Sequence, residues 1–249
     1  MSRLLSYPRD AAGLPPLSQP LSESEQTALD ALLPLLTPPR RERFAAVLSQ
    51  RTQHLTVVLE GLRQTHNFSA VLRSCDAFGV QSVHVVDSFE LFEPGRFHVS
   101  RNVAMGAQKW LRLHAHETIE SCVASLRGDG YRIAATAPAT DSHPATPLAE
   151  FDLAQPVALL MGNELEGLSD AAIKLADERL AVPLAGFVES LNVSVAAAIC
   201  LYDLTHRLRS GPIDWALAAS ARERLLLDWT RLSVPNAAAI ESRLTEASP

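Results

Sequence analysis

The sequence predicts an α/β protein: a mostly parallel sheet with helices on both faces, carrying helical extensions at its N- and C-terminal ends. Three observations lead there. Short runs rich in Val, Leu and Ile recur with helical segments between them, the alternation that lays strands side by side in parallel. Several runs are apolar at every position, as strands covered on both faces are. Finally, the chain has 249 residues, 47% hydrophobic and 20% charged, enough for a sizeable core and too apolar for wholesale disorder.

Residues 1–51 form the first expected region, an arm whose first forty residues hold seven of the sixteen prolines. Ser22-Glu23-Ser24-Glu25 is a capping-box pattern ahead of Leu29, Leu32, Leu33 and Leu36, which predicts a short amphipathic helix. A second helix is expected after Thr37-Pro38-Pro39, since proline is tolerated in a first helical turn. Its apolar side would be Phe44, Val47 and Leu48, leaving Arg40, Arg41, Arg43 and Arg51 to solvent or a ligand. Residues 52–210 form the central domain. Strands are expected at 55–60, 82–87, 131–136, 157–161 and 179–184, with helices at 67–78, 118–127, 169–176 and about 191–209. Past Gly211-Pro212, residues 211–249 read as an amphipathic helical tail.

Composition excludes several classes. Cys75, Cys122 and Cys200 are odd in number and widely spaced, so neither a disulfide framework nor a Cys-rich zinc site is expected, and a reducing cytoplasm suits them. The eight histidines show no H-E-x-x-H or other metal-ligand spacing, there is no G-x-S-x-G elbow, and no metal is expected. No apolar run is long enough to span a membrane. The net charge of −6 argues at first against nucleic acid, but residues 37–73 hold six arginines against two glutamates. Arginine's planar fork suits phosphates and base edges better than a lysine point charge.

Three segments differ from plain scaffold. In the first, His66-Asn67-Phe68-Ser69-Ala70-Val71-Leu72-Arg73, Asn67 follows a buried strand and is expected to cap a helix. Arg73 is placed on or near the flank that carries Asn67 and Ala70. In the second, Gly162-Asn163-Glu164-Leu165-Glu166-Gly167 joins an apolar strand to a helix, its glycines giving the backbone room for close approach. Its carboxylates would repel phosphate and suit hydroxyls, amines or a sulfonium. In the third, Ser190-Leu191-Asn192-Val193-Ser194 sets three polar residues in a very apolar stretch, which predicts a packed network or a ligand.

Taken in order, these segments resemble the signature motifs of the SpoU/TrmH branch of the SPOUT RNA 2′-O-methyltransferases, across roughly residues 55–205. The Glu189-Ser190-Leu191-Asn192-Val193-Ser194-Val195-Ala196 run is the most specific. Leu55–Glu60 followed by His66–Arg73 is most similar to the members that methylate guanosine 18 in the tRNA D-loop. Those members usually carry a basic residue and a proline where this chain has Gln64-Thr65, and the second segment is nearer the general SpoU form. A ribosomal-RNA ribose methyltransferase is therefore the alternative. An alternative of another class is a catalytically silent RNA-binding module on the same fold.

The resemblance implies a SPOUT-type sheet with a deep C-terminal trefoil knot, a homodimer, an RNA partner and S-adenosylmethionine as cofactor. By position it places cofactor contacts at Thr136, Ala137, Leu160, Gly162, Gly167, Val182, Leu184, Leu191 and Ser194. Arg73, Asn67, Glu164, Ser190 and Asn192 match catalytic and substrate positions. The family analogy makes Arg73 the base. A guanidinium holds its proton in proteins, so Arg73 is instead expected to hydrogen-bond the ribose 2′-oxygen and the adjacent phosphate. RNA is expected to be gripped by Arg40, Arg41, Arg43, Arg51 and His66 together with the tail, so that removing residues 1–51 weakens RNA binding and flattens its salt dependence while leaving cofactor affinity alone.

Overall fold

Leu55–Glu60 and Val157–Met161 are buried at every residue and pair in parallel, from Leu55 opposite Val157 to Leu59 opposite Met161. They form the centre of a seven-stranded sheet. The computed structural model describes residues 4–7, 14–86, 92–93, 96–138 and 144–246. In chain order its elements begin with β1 (Leu4–Tyr7), α1 (Glu23–Leu32), α2 (Pro38–Leu48), β2 (Leu55–Glu60), α3 (Thr65–Ala77) and β3 (Ser82–Val86). There follow β4 (Phe92–Glu93), β5 (Arg96–Ser100), α4 (Arg101–Ala104), β6 (Arg112–His116), α5 (Ile119–Gly128), β7 (Arg132–Thr136) and β8 (Thr146–Pro147). The last are β9 (Val157–Met161), α6 (Asp170–Leu175), β10 (Glu178–Ala181), α7 (Val193–Ser210), α8 (Ala219–Ser233) and α9 (Ala237–Glu246).

The chain divides into two units, one of Met1–Gly13 and Thr52–Trp215, the other of Leu14–Arg51 and Ala216–Pro249. In the first, the sheet order is β6-β3-β2-β9-β7-β10-β8, and every described pairing is parallel. Helices cover both faces, which explains the wholly apolar strands. On one face Phe68, Val71, Leu72 and Cys75 of α3 pack with Ala197, Leu201 and Leu204 of α7 against Val57, Leu59 and Leu159. On the other, Cys122, Val123 and Leu126 of α5 and Ala172 of α6 meet Val58, Ile133 and Leu160. Burial first, then the neighbouring imidazoles of His114 and His116, hold the His84 ring down to about 2, so it is neutral.

The second unit is helical and joins the two flanks. Ser22 caps α1 in a complete capping box with Glu25, as its sequence predicts. Leu29 of α1 packs on Leu227 of α8, and Phe44 of α2 meets the Trp229 ring edge-on at 5.5 Å. Arg224, 1% exposed, donates to both Glu25 carboxylate oxygens at 2.8 and 3.0 Å and to the Gln19 and Pro20 carbonyls. Such a fork-to-carboxylate pair inside a helical contact sets the register of α1 against α8.

The structure adds to and trims the expected elements. β6, β8 and a small antiparallel sheet of order β1-β5-β4 are additional. β6 reads Arg-Leu-His-Ala-His, without an apolar run, because among the described residues it lies at the sheet edge with one strand neighbour. The strand expected at 179–184 ends at Ala181, and Asp87, expected to close another, lies outside the described residues. Arg51 is the clear correction: it is 1% exposed with its guanidinium 5.4 Å over Trp229, not left to solvent.

Candidate active site

Three expected segments meet at the C-terminal ends of parallel strands. α3 follows β2, and its first residue is Thr65, so Asn67 lies inside the first turn and does not cap it. Its side chain, 3% exposed, does other work. The amide nitrogen donates to Gln64 Oε1 at 3.3 Å and to the Glu164 carboxylate, while its oxygen accepts from Asn192 Nδ2 at 3.3 Å. A flipped amide would set its oxygen against that carboxylate, so the network fixes the orientation. One buried amide thus ties all three segments together.

Glu164 sits in a tightly closed turn. Asn163 and Gly167 exchange two backbone hydrogen bonds of 3.1 Å, and Asn163 Oδ1 accepts from the Leu165 and Glu166 N–H groups at 2.9 and 2.8 Å. A Cβ on Gly162 would stand 2.0 Å from the Gly167 carbonyl carbon, and Gly167 itself has φ +72°. Both positions require glycine, for different reasons. Glu60, buried at the end of β2, accepts from the backbone N–H and hydroxyl of Ser169 at 2.9 and 2.7 Å and so anchors the far side of the turn. Glu60 and Asn163 are supporting residues that sequence reasoning did not single out. Their signals were a carboxylate closing an apolar strand before Gly61, and an Asx residue directly after a glycine.

Asn192 caps α7, accepting from Ser194 N at 2.9 Å and Ser194 Oγ at 2.6 Å. The expected buried triplet is corrected: Ser190 and Asn192 are exposed and Ser194 half-buried, so capping and the Asn67 contact account for the latter two. Among the described residues no hydrogen bond or ion pair joins Ser190 or Arg73 to the network. Arg73 stands on the exposed side of α3, and His66 is exposed at its start.

The remaining expected positions collect at the ends of β9, β7 and β10, which are consecutive in the sheet. Leu160 and Gly162 lie at the end of β9, Thr136 and Ala137 at the end of β7, and Val182 and Leu184 just beyond β10. Thr136 Oγ1 donates to the Leu160 carbonyl at 2.7 Å and Ala137 N to the Leu180 carbonyl at 3.1 Å, which holds the three ends level. Leu191 and Ser194 flank the cap of α7. Leu165, Leu184 and Phe187 are exposed around this rim.

A parallel sheet whose ligand-competent polar network lies at the carboxyl ends of its strands defines an α/β protein that binds there. The chain belongs to the SpoU rRNA Methylase family, which matches residues 54–202. It is 37% identical over 197 residues to a tRNA (guanosine(18)-2′-O)-methyltransferase of Thermus thermophilus, covering 78% of this chain and 97% of that one. It resembles the crystal structure of the A. aeolicus TrmH/SpoU tRNA modifying enzyme with a TM-score of 0.69 and 28% identity, over 80% of this chain and 98% of that chain. It also resembles the SpoU methyltransferase AviRb from Streptomyces viridochromogenes in complex with AdoMet, with a TM-score of 0.54 and 27% identity over 67% of this chain and 62% of that chain.

Proposed function

We propose that this protein transfers a methyl group from S-adenosylmethionine to a ribose 2′-hydroxyl of RNA, with guanosine 18 of tRNA as the target. The observation that carries the reading is the convergence of Asn67, Glu164 and Asn192 on one another beside three level strand ends. The likeness to the Thermus enzyme supports the choice of tRNA.

The residues at those ends fit the cofactor. The closed 162–167 turn sets its backbone and the Asn67-bonded Glu164 carboxylate at the end of β9, which suits a cationic sulfonium, and exposed Leu165 and Leu184 offer apolar surface to a purine. We assign the contacts to Thr136, Ala137, Leu160, Gly162, Gly167, Val182, Leu184, Leu191 and Ser194. When bound, the cofactor supplies an electrophilic methyl group. The chain's part is to align the ribose oxygen and keep water away. Asn67, held from three sides, fixes the Glu164 turn relative to α3 and α7. Arg73, always protonated, donates to the 2′-oxygen as negative charge develops there and to the adjacent phosphate. Ser190, exposed two residues before Asn192, takes the phosphate with it. Arg40, Arg41, Arg43 and His66, all exposed, grip RNA; Arg51, held over Trp229, leaves that set.

The knot, the dimer and the cytoplasm belong to the same proposal. β10 lies outside β7 and the chain returns from it through 182–192 to pack α7 on α3, a path that supports a threaded end. Val195, Ile199 and Tyr202 form an exposed stripe at helical spacing on α7, which supports pairing with a second copy.

Methylation of unmodified tRNA and rRNA transcripts with labelled cofactor, followed by mapping of the modified ribose, tests the reading. Label at guanosine 18 of tRNA supports it, and label confined to rRNA shows the ribosomal alternative. No cofactor binding in a calorimeter shows a silent RNA-binding module. Single-turnover assays of Arg73→Ala and Arg73→Lys test the arginine, and near-wild-type methylation by either, with cofactor bound, removes its role.

A further inference from the structure

A second cluster of chemically capable side chains lies on the α5 face of the sheet, and none of its members enters the Asn67 network. β3 and β6 pair with His84 opposite His114 and Val86 opposite His116, so the alternation of strand side chains puts all three imidazoles on one face. His84 Nδ1 lies 3.0 Å from His116 Nε2, and the His84 ring stacks on His114 at 4.6 Å with an interplanar angle of 11°. From above, the first turn of α5 lowers Cys122, fully buried, onto the pair. One ligand atom from each of His84, His116 and Cys122 falls within 4.8 Å of the other two.

We propose that His84, His116 and Cys122 bind a divalent transition-metal ion, zinc foremost. Two imidazole nitrogens and one sulfur are the donors that borderline-soft cations prefer, whereas magnesium and calcium require oxygen. Tetrahedral zinc with bonds of 2.0–2.3 Å holds its ligand atoms about 3.3–3.8 Å apart. The two nitrogens, 3.0 Å apart, lie just inside that spacing, and no pair of the three ligand atoms exceeds 4.8 Å, so small ring and thiol shifts reach it. His116 is half-buried, so its side of the cluster admits a water as fourth ligand. Both His114 and His116 lie near-parallel to the His84 ring, at 11° and 22°, and His116 brings its Nε2 within 3.0 Å of His84 Nδ1, so a modest ring rotation turns that pair onto one ion. On binding, the Cys122 thiol gives its proton to solvent and the sulfur forms the metal bond, so affinity rises with pH. Linear spacing hid the site because its ligands come from two strands and a helix. Only His114-x-His116 hinted at it, by setting two imidazoles on one face of a strand.

The test is cobalt titration of the untagged full chain after exhaustive chelation. One Co²⁺ per chain is expected, with a thiolate-to-cobalt charge-transfer band in the near ultraviolet and the visible bands of tetrahedral cobalt, all displaced by Zn²⁺. Cys122→Ser should abolish the charge-transfer band and weaken binding more than about tenfold, and Cys75→Ala and Cys200→Ala should retain the band. His116→Ala, at a half-exposed position of an edge strand, should weaken binding by a similar factor. Absence of the band in the natural chain, or its survival in Cys122→Ser, overturns the site. If Cys122→Ser does not fold, unchanged cobalt affinity in His116→Ala overturns it equally.

Discussion

At the scale of single residues, the two glycines of the 162–167 turn separate two physical demands. A Cβ at Gly162 would collide with the Gly167 carbonyl, so Gly162→Ala must open the turn. We expect S-adenosylmethionine affinity to fall by more than tenfold in calorimetry. Gly167 has open space around its absent Cβ and only a positive φ, so Gly167→Ala should cost about 1–2 kcal/mol in denaturant unfolding. Asn67→Ala leaves Glu164 and Asn192 without their shared partner. It should destabilise the chain by about 1–3 kcal/mol and lower single-turnover methylation even at saturating cofactor. The residue types at this site were legible before the fold was. Their partners were not, because Asn67, Glu164 and Asn192 lie on three separate elements and a hydrogen bond between distant segments leaves no local pattern. The same limit made Asn67 look like a helix cap, a role its position after a strand suggests and the helix start at Thr65 refutes.

Among elements, the α1–α8 contact carries a pH signature. The Arg224 side chain, bonded to both Glu25 oxygens, holds that carboxyl at about 2 against an ordinary 4.5, and the Ser22 cap adds to the effect. Because the folded value is depressed, the stabilisation is complete above about pH 4.5 and is lost as pH falls from there toward 2. Thermal melts of the natural chain and Glu25→Gln across that window should converge at the acid end and diverge above it. The exposed stripe on α7 gives a second test. If the proposed dimer uses this stripe, Ile199→Glu should halve the mass seen in light scattering while far-ultraviolet circular dichroism stays unchanged, because Ile199 faces away from the core. Buried strands and capped helices were readable from periodicity. β6 was not, since an edge strand with two histidines carries little apolar signal; that same oversight concealed the His84–His116–Cys122 cluster.

For the whole molecule, the arginine-rich segment is best tested by charge and not by deletion. Removing residues 1–51 would take α1 and α2 away from Leu227 and Trp229 of α8, so lost RNA binding would follow from misfolding alone. Arg41→Gln with Arg43→Gln, both exposed, should weaken tRNA binding and reduce its salt slope by about 1–2, leaving cofactor affinity unchanged. Fold class was legible because a buried parallel sheet writes its strands as apolar runs. The union of the two flanks in one helical unit was not, because nothing local relates residues some two hundred positions apart.

That union has a bearing on biosynthesis. As the chain leaves the ribosome, α1 and α2 emerge ahead of α8, with leucines and a phenylalanine ready for a partner that is still untranslated. At ordinary elongation rates roughly ten seconds or more separate them from α8. The helical unit therefore assembles only after the intervening sheet strands have been made, and a translation product interrupted before α8 is left with sticky, orphaned helices.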